Sequence, residues 1–310
     1  MSANIAFVFP GQGSQSVGML AELGAEHPIV TETFTQASEV LGYDLWDLVQ
    51  HDKGGELSQT HITQPALLTA SVALWRLWLN QGGIVPSVLA GHSLGEYSAL
   101  VCAGALDFSD AVRLVEARGQ FMQAAVPPGE GAMAAIIGMD DDAIAAACEA
   151  SAQGQVVAPV NYNSPGQVVI AGSRSAVERA MVACKEGGAK RALPLPVSVP
   201  SHCALMLPAA EKLRTMLEGM QVRVPSIPVV QNVDAKVASS SEVIVNNLVA
   251  QLHQPVLWTN CVESIAASGV DLVVECGPGK VLNGLTKRIN KTLQSASIND
   301  AASLAVTLEH

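Results

Sequence analysis

Val85-Pro86-Ser87-Val88-Leu89-Ala90-Gly91-His92-Ser93-Leu94-Gly95-Glu96-Tyr97-Ser98-Ala99-Leu100 decides the fold. Val85–Ala90 reads as a buried strand, and Gly95 to Gly104 reads as a helix. Gly91-His92-Ser93-Leu94-Gly95 lies between them. Glycines at that spacing permit a sharp strand-to-helix turn that lifts the serine to the helix N-terminus. Free N–H groups and the helix dipole favour developing negative charge there. The pattern predicts Ser93 as a nucleophile; the alternative is a tight turn on which Ser93 is only an N-cap.

The flanking sequence continues the alternation. Ile5–Phe9, Ile227–Val230 and Leu272–Glu275 read as further short buried strands, with helical periodicity between them. Such alternation predicts an α/β fold with a largely parallel sheet. Residues 128–198 depart from it. Pro127-Pro128-Gly129 breaks a helix, and Ala132–Ile137 reads as a strand. A helix then starts near Asp140, a suitable N-cap. The strands Val156–Tyr162 and Gln167–Ala171 flank the turn residues Asn163-Ser164-Pro165-Gly166. Ser175-x-x-Glu178 reads as a capping box, and Ala192–Val197 as a closing strand. The order β-α-β-β-α-β is that of a ferredoxin-like unit. The expected division is a discontinuous catalytic domain, 1–127 and 199–310, carrying an inserted small domain, 128–198.

Composition narrows the function classes. The chain has 310 residues, of which 49% are hydrophobic, so a sizeable core is expected. Its net charge of −11 lacks the basic footprint that nucleic acid or an anionic membrane surface requires. Six scattered cysteines with no C-x-x-C pair argue against a zinc site or a disulfide framework and for a reducing compartment. No basic n-region precedes the first strand, and the apolar run Pro65 to Leu79 is short for a bilayer and interrupted by Arg76. A soluble, cytoplasmic protein is expected.

A serine nucleophile needs oxyanion donors and a base. Pro10-Gly11-Gln12-Gly13-Ser14-Gln15 follows the first strand, but Ser16 stands where a dinucleotide-binding loop has its third glycine. Gly277-Pro278-Gly279-Lys280 is followed by Val281, so it is no P-loop. The better reading makes the Gln12 backbone N–H an oxyanion donor, paired with that of Leu94. Among seven histidines, His92 should point away from Ser93 on so tight a turn. His202, in Val199-Pro200-Ser201-His202-Cys203, is the candidate base, or else a satisfied, partly buried histidine. No acidic residue between Ser93 and His202 stands at a strand end, so something other than a carboxylate is expected to orient the imidazole. On the helix read over Ser109 to Val126, Arg118 falls within the apolar stripe of Ala111, Leu114, Val115, Phe121, Met122 and Ala125. Arg118 either snorkels, pairs internally, or awaits a substrate carboxylate.

Together these segments resemble the malonyl-CoA:acyl carrier protein transacylases of the free-standing bacterial type. Phe9-Pro10-Gly11-Gln12-Gly13-Ser14-Gln15, Gln64-Pro65-Ala66, Gly91 to Tyr97, Arg118-Gly119, Asn161-Tyr162-Asn163-Ser164-Pro165, Pro200-Ser201-His202 and Glu275-Cys276-Gly277-Pro278-Gly279 carry the likeness in order along the chain. The resemblance implies a hydrolase-like α/β core with a ferredoxin-like insert. It implies Ser93 as nucleophile, His202 as base, Arg118 as the malonyl carboxylate's partner, and Gln12 and Leu94 as the oxyanion hole. Gln251 would orient the histidine through its backbone carbonyl. His92, Gln64 and Asn163 would line the pocket, as would Ser201, the residue before the histidine, leaving acyl selectivity mainly to Arg118. A ping-pong transfer without metal or redox cofactor follows, with coenzyme A thioester and acyl carrier protein as partners. An acidic carrier needs a local basic patch; Arg174 to Arg191 and Lys280 to Lys291 are the two candidates. A serine hydrolase or thioesterase on the same turn, and a non-catalytic docking module, are the competing readings.

Overall fold

A computed structural model describes residues 4–197 and 199–310. Five parallel strands form the main sheet: β1 (Ile5–Phe9), β2 (Val88–Gly91), β7 (Val229–Val230), β8 (Leu272–Cys276) and β9 (Gln294–Ile298), in the order β7-β2-β1-β8-β9. Alternate residues feed two apolar layers. Phe7, Phe9, Leu89 and Val274 pack with the buried helix Thr60–Asn80, while Ala6, Val8, Ala90 and Val273 pack with Trp258, Cys261 and Leu285. Burial on both faces explains why the central strands β1, β2 and β8 read as apolar runs.

The remaining strands, β3 (Gly131–Ile137), β4 (Val157–Ser164), β5 (Gln167–Ser173) and β6 (Arg191–Pro194), form an antiparallel sheet in the order β4-β5-β3-β6. With the helices Asp141–Ala152 and Arg174–Glu186 the element order is the expected β-α-β-β-α-β. One face packs Ile136 and Ile170 against Ile144 and Val177 of those helices. The other face, through Met133, Val160 and Ala171, covers Cys203 beside the candidate base. The edge of β4 is tied to the main body, because Val256 N–H donates to Val160 O (2.9 Å) and Tyr162 N–H donates to Val256 O (3.0 Å).

Several boundaries differ from the sequence expectation. β2 begins at Val88, not Val85, because Val85 is exposed and Pro86 has no N–H to donate. β7 holds two residues, and β6 ends at Pro194 among the prolines, although Leu195 N–H still reaches Met133 O. The edge strand β9 was not expected, since Gln294-Ser295-Ala296-Ser297 lacks an apolar run. The expected capping box at Ser175 does not form: the helix starts at Arg174 after Ser173, and Ser175 Oγ donates to Gln155 instead.

Candidate active site

The register pairs Phe9 with Gly91, so the loops leaving β1 and β2 lie side by side at the carboxyl ends of the strands. That crevice is where open parallel sheets place ligands. The turn after β2 is tight enough to require glycine twice. A Cβ on Gly91 would lie 1.9 Å from the Gly95 carbonyl carbon, and one on Gly95 would lie 2.0 Å from Phe9 O. Ser93 itself adopts φ 52°, ψ −109°, outside the regions favoured by residues with a side chain. Strain of this kind costs about 1–3 kcal/mol and persists where surroundings hold it. Asn232 Oδ1 accepts from Ser93 N–H (2.7 Å), Asn232 Nδ2 donates to Gly91 O (2.7 Å), and Gln251 Nε2 donates to Ser93 O (3.0 Å).

His202 arrives from the segment beneath the small sheet, at φ 64°. Its Nε2 lies 2.8 Å from Ser93 Oγ, and its Nδ1 lies 2.6 Å from Gln251 O. A carbonyl only accepts, so Nδ1 carries the proton and Nε2 faces the serine as a free base. Burial, reinforced by Arg118 nearby, pushes the imidazole down to about 3, so it is neutral near pH 7. The orienting group is thus a backbone carbonyl, which accounts for the absent acid.

Arg118 is 1% exposed. Among the described residues no carboxylate forms an ion pair with it. Its Nη1 donates to Gln64 Oε1 (2.8 Å) and its Nη2 to Gln251 Oε1 (3.0 Å), with Ser93 Oγ at 3.4 Å. The guanidinium lies over the Tyr97 ring at 5.2 Å, and Nε has no partner among the described residues. A buried cation held by two neutral amides beside a nucleophile is poised for an anion. The N–H groups of Gln12 and Leu94 also have no acceptor among the described residues, and both residues line the same cavity as Ser93 and Arg118.

His92 makes no side-chain hydrogen bond to Ser93 among the described residues. Its ring lines the cavity, packs 5.4 Å from Trp258 and places Nε2 2.8 Å from Asn163 Oδ1. Asn163 therefore sits behind His92; Asn161, whose Oδ1 has no partner among the described residues, lines the cavity instead. Gln64 and Ser201 line it too, whereas Gln251 lies behind the nucleophile. Sequence reasoning missed Asn232 and Glu96. The Glu96 carboxylate is fully buried and accepts from Asn232 N (2.8 Å), Gln251 Nε2 (3.1 Å) and Gln231 Nε2 (3.2 Å). Burial pushes it up to about 7 against the pull of those donors. Its signal in the sequence was its place within the Gly91-to-Tyr97 stretch, one residue past Gly95.

The two basic stretches differ. Arg179 donates to Ser151 O and Ala152 O, and Lys185 to Ala189 O and Lys190 O, so much of the first stretch serves its own subdomain. In the second, Lys287 and Lys291 are exposed and make no ion pair among the described residues, while Lys280 lies 4.0 Å from Asp300. No cluster of three or more His, Cys, Asp or Glu able to hold a metal occurs among the described residues. No helix there is long and apolar enough to cross a membrane.

Residues 6–309 match the acyl transferase domain family. The chain is 65% identical over 303 residues to a malonyl CoA-acyl carrier protein transacylase of Salmonella typhimurium, covering 98% of each. A crystal structure of an acyl carrier protein S-malonyltransferase from Vibrio cholerae superposes with TM-score 0.96 at 62% identity, over 98% of this chain and 99% of that one. A malonyl-transacylase in complex with its type II PKS acyl-carrier protein superposes with TM-score 0.98 at 61% identity, over 99% of each. With these similarities along its whole length, the chain belongs to the acyl transferase domain family and, within it, to the malonyl CoA-acyl carrier protein transacylases.

Proposed function

We infer that the chain moves the malonyl group from malonyl-CoA to the phosphopantetheine thiol of acyl carrier protein, supplying fatty acid synthesis. The observation that carries this reading is Arg118, a buried cation without a carboxylate among the described residues, 3.4 Å from the Ser93 oxygen. Hydrolysis of neutral esters has no use for such a charge. Ser93 Oγ gives its proton to His202 Nε2 and attacks the thioester carbonyl. The N–H groups of Gln12 and Leu94 hold the tetrahedral oxyanion, and Arg118 holds the distal carboxylate. The C–S bond breaks, and CoA leaves with the proton from His202. The carrier thiol then gives its proton to the same nitrogen, attacks malonyl-Ser93, and Ser93 Oγ departs reprotonated. No step calls for a metal or redox cofactor. Gln64, His92 and Ser201 shape the acyl pocket, and Asn163 fixes the His92 ring. Lys287 and Lys291 support carrier docking between two acidic proteins. Six free cysteines support a reducing, cytoplasmic setting.

The fate of the acyl-enzyme tests the reading. Malonyl-Ser93 formed from radiolabelled malonyl-CoA should pass to holo acyl carrier protein much faster than to water. Rapid hydrolysis unaffected by added carrier would overturn it in favour of a hydrolase.

A further inference from the structure

We propose that Glu96 is a positioning residue, whose buried carboxylate orients the Gln251 side chain and so sets Arg118 for the acyl carboxylate while holding Ser93 in its strained turn. The inference rests on the transacylase reading and deepens it.

Gln251 meets the site three times. Its backbone O fixes His202 Nδ1, its Oε1 receives Arg118 Nη2, and its Nε2 reaches Ser93 O and Glu96 Oε2. The two ends of its amide face opposite charges. A cation on one side accepts only an oxygen as partner, and a carboxylate on the other takes only N–H. Glu96 therefore decides which way the amide points. Turned over, the Gln251 amide would aim its NH2 at the guanidinium and lose the bond that aims Arg118.

The second arm runs through Asn232. Its N–H donates to Glu96 Oε2, and its side chain grips Gly91 O and Ser93 N–H. Glu96 thus anchors both residues that clamp the Ser93 backbone. All three of its partners are donors, and none can accept a carboxyl proton, so the nest is built for the anion. Glu96, Asn232 and Gln251 are each fully buried, which leaves water no role in replacing a lost partner.

Glu96→Gln keeps the shape, with its amide oxygen held towards the fixed Asn232 N–H and its NH2 turned to Gln231 Nε2, and so takes away the charge to which Gln251 Nε2 bonds. Wild type and variant are compared at about pH 8, where the wild-type carboxylate is ionised, by rapid-quench labelling of Ser93 from malonyl-CoA and acetyl-CoA. Losing one hydrogen bond to a charged group corresponds to roughly a 10- to 100-fold effect. Malonyl labelling should fall by that factor, acetyl labelling should fall several-fold less, and the melting temperature should stay within a few degrees. Unchanged rates with an unchanged malonyl-to-acetyl ratio would overturn the proposal, as would equal losses for both acyl groups. If Glu96→Gln does not fold, Glu96→Asp, which retracts the carboxylate from Gln251, is measured by the same ratio and judged by the same outcomes. Failure of wild type to label would instead refute the transacylase reading itself.

Discussion

Replacing Arg118 by alanine removes the buried cation beside the nucleophile. One N–H of Nη1 and one of Nη2 go to Gln64 and Gln251, which leaves further N–H groups for a carboxylate. Each hydrogen bond to a charged group contributes about 1.5–3 kcal/mol, so a bidentate pair contributes about 3–6 kcal/mol. At about 1.4 kcal/mol per decade, malonylation of Ser93 should slow by about 10²- to 10⁴-fold. Acetyl-CoA offers no carboxylate, so acetylation should change little or rise. Rapid-quench counting of label on Ser93 from the two thioesters, side by side, measures both rates. Equal losses for the two acyl groups would refute the reasoning, because they would make Arg118 a structural residue that merely supports Gln64 and Gln251. A melting curve on the same variant separates that case from unfolding.

Three further outcomes are expected. The His202 signal in histidine-selective NMR should stay that of the neutral Nδ1–H tautomer from pH 8 down to about 5, since a depressed value means that charge appears only as pH falls through it; a midpoint near the ordinary 6.5 would contradict the burial argument. Its contribution to stability should likewise be present above about 6.5 and be lost as pH falls towards 3. Gln12→Pro removes the backbone N–H and should slow acylation by about 100- to 1000-fold, whereas Gln12→Ala, which keeps it, should be far milder; similar losses in both would place the function in the side chain. Lys287→Glu with Lys291→Glu should weaken transfer to acyl carrier protein several-fold and more at low salt, leaving malonylation by malonyl-CoA unchanged; loss in both half-reactions would argue against a docking role.

The nucleophile turn was legible because its chemistry is written in residue types. Only glycine fits at 91 and 95, and their spacing around Ser93 shows in the sequence. Arg118 was legible for a similar reason, as one charge breaking an apolar helical stripe. Its partners were not: Gln64 and Gln251 are ordinary glutamines until the fold brings them from 54 and 133 residues away. The orienter of His202 is a backbone carbonyl, an atom that every residue has, so no residue type advertises it. Glu96 and Asn232 act from behind the turn, where sequence places them only as a helix residue and a loop residue. Edge strand β9 escaped because an edge needs no continuous apolar run. The Ser175 capping pattern misled because the spacing alone does not say where the helix begins.

The nearness of the Arg118 charge to His202 bears on the proposed cycle. In a serine triad a buried aspartate stabilises the imidazolium that forms during attack. Here a guanidinium stands near the imidazole and opposes that charge. On the proposed reading, a malonyl carboxylate on Arg118 would offset that opposition and let His202 take the serine proton more readily, while the Gln251 carbonyl keeps the ring oriented. The substrate's own charge would then assist the base that the acyl group meets.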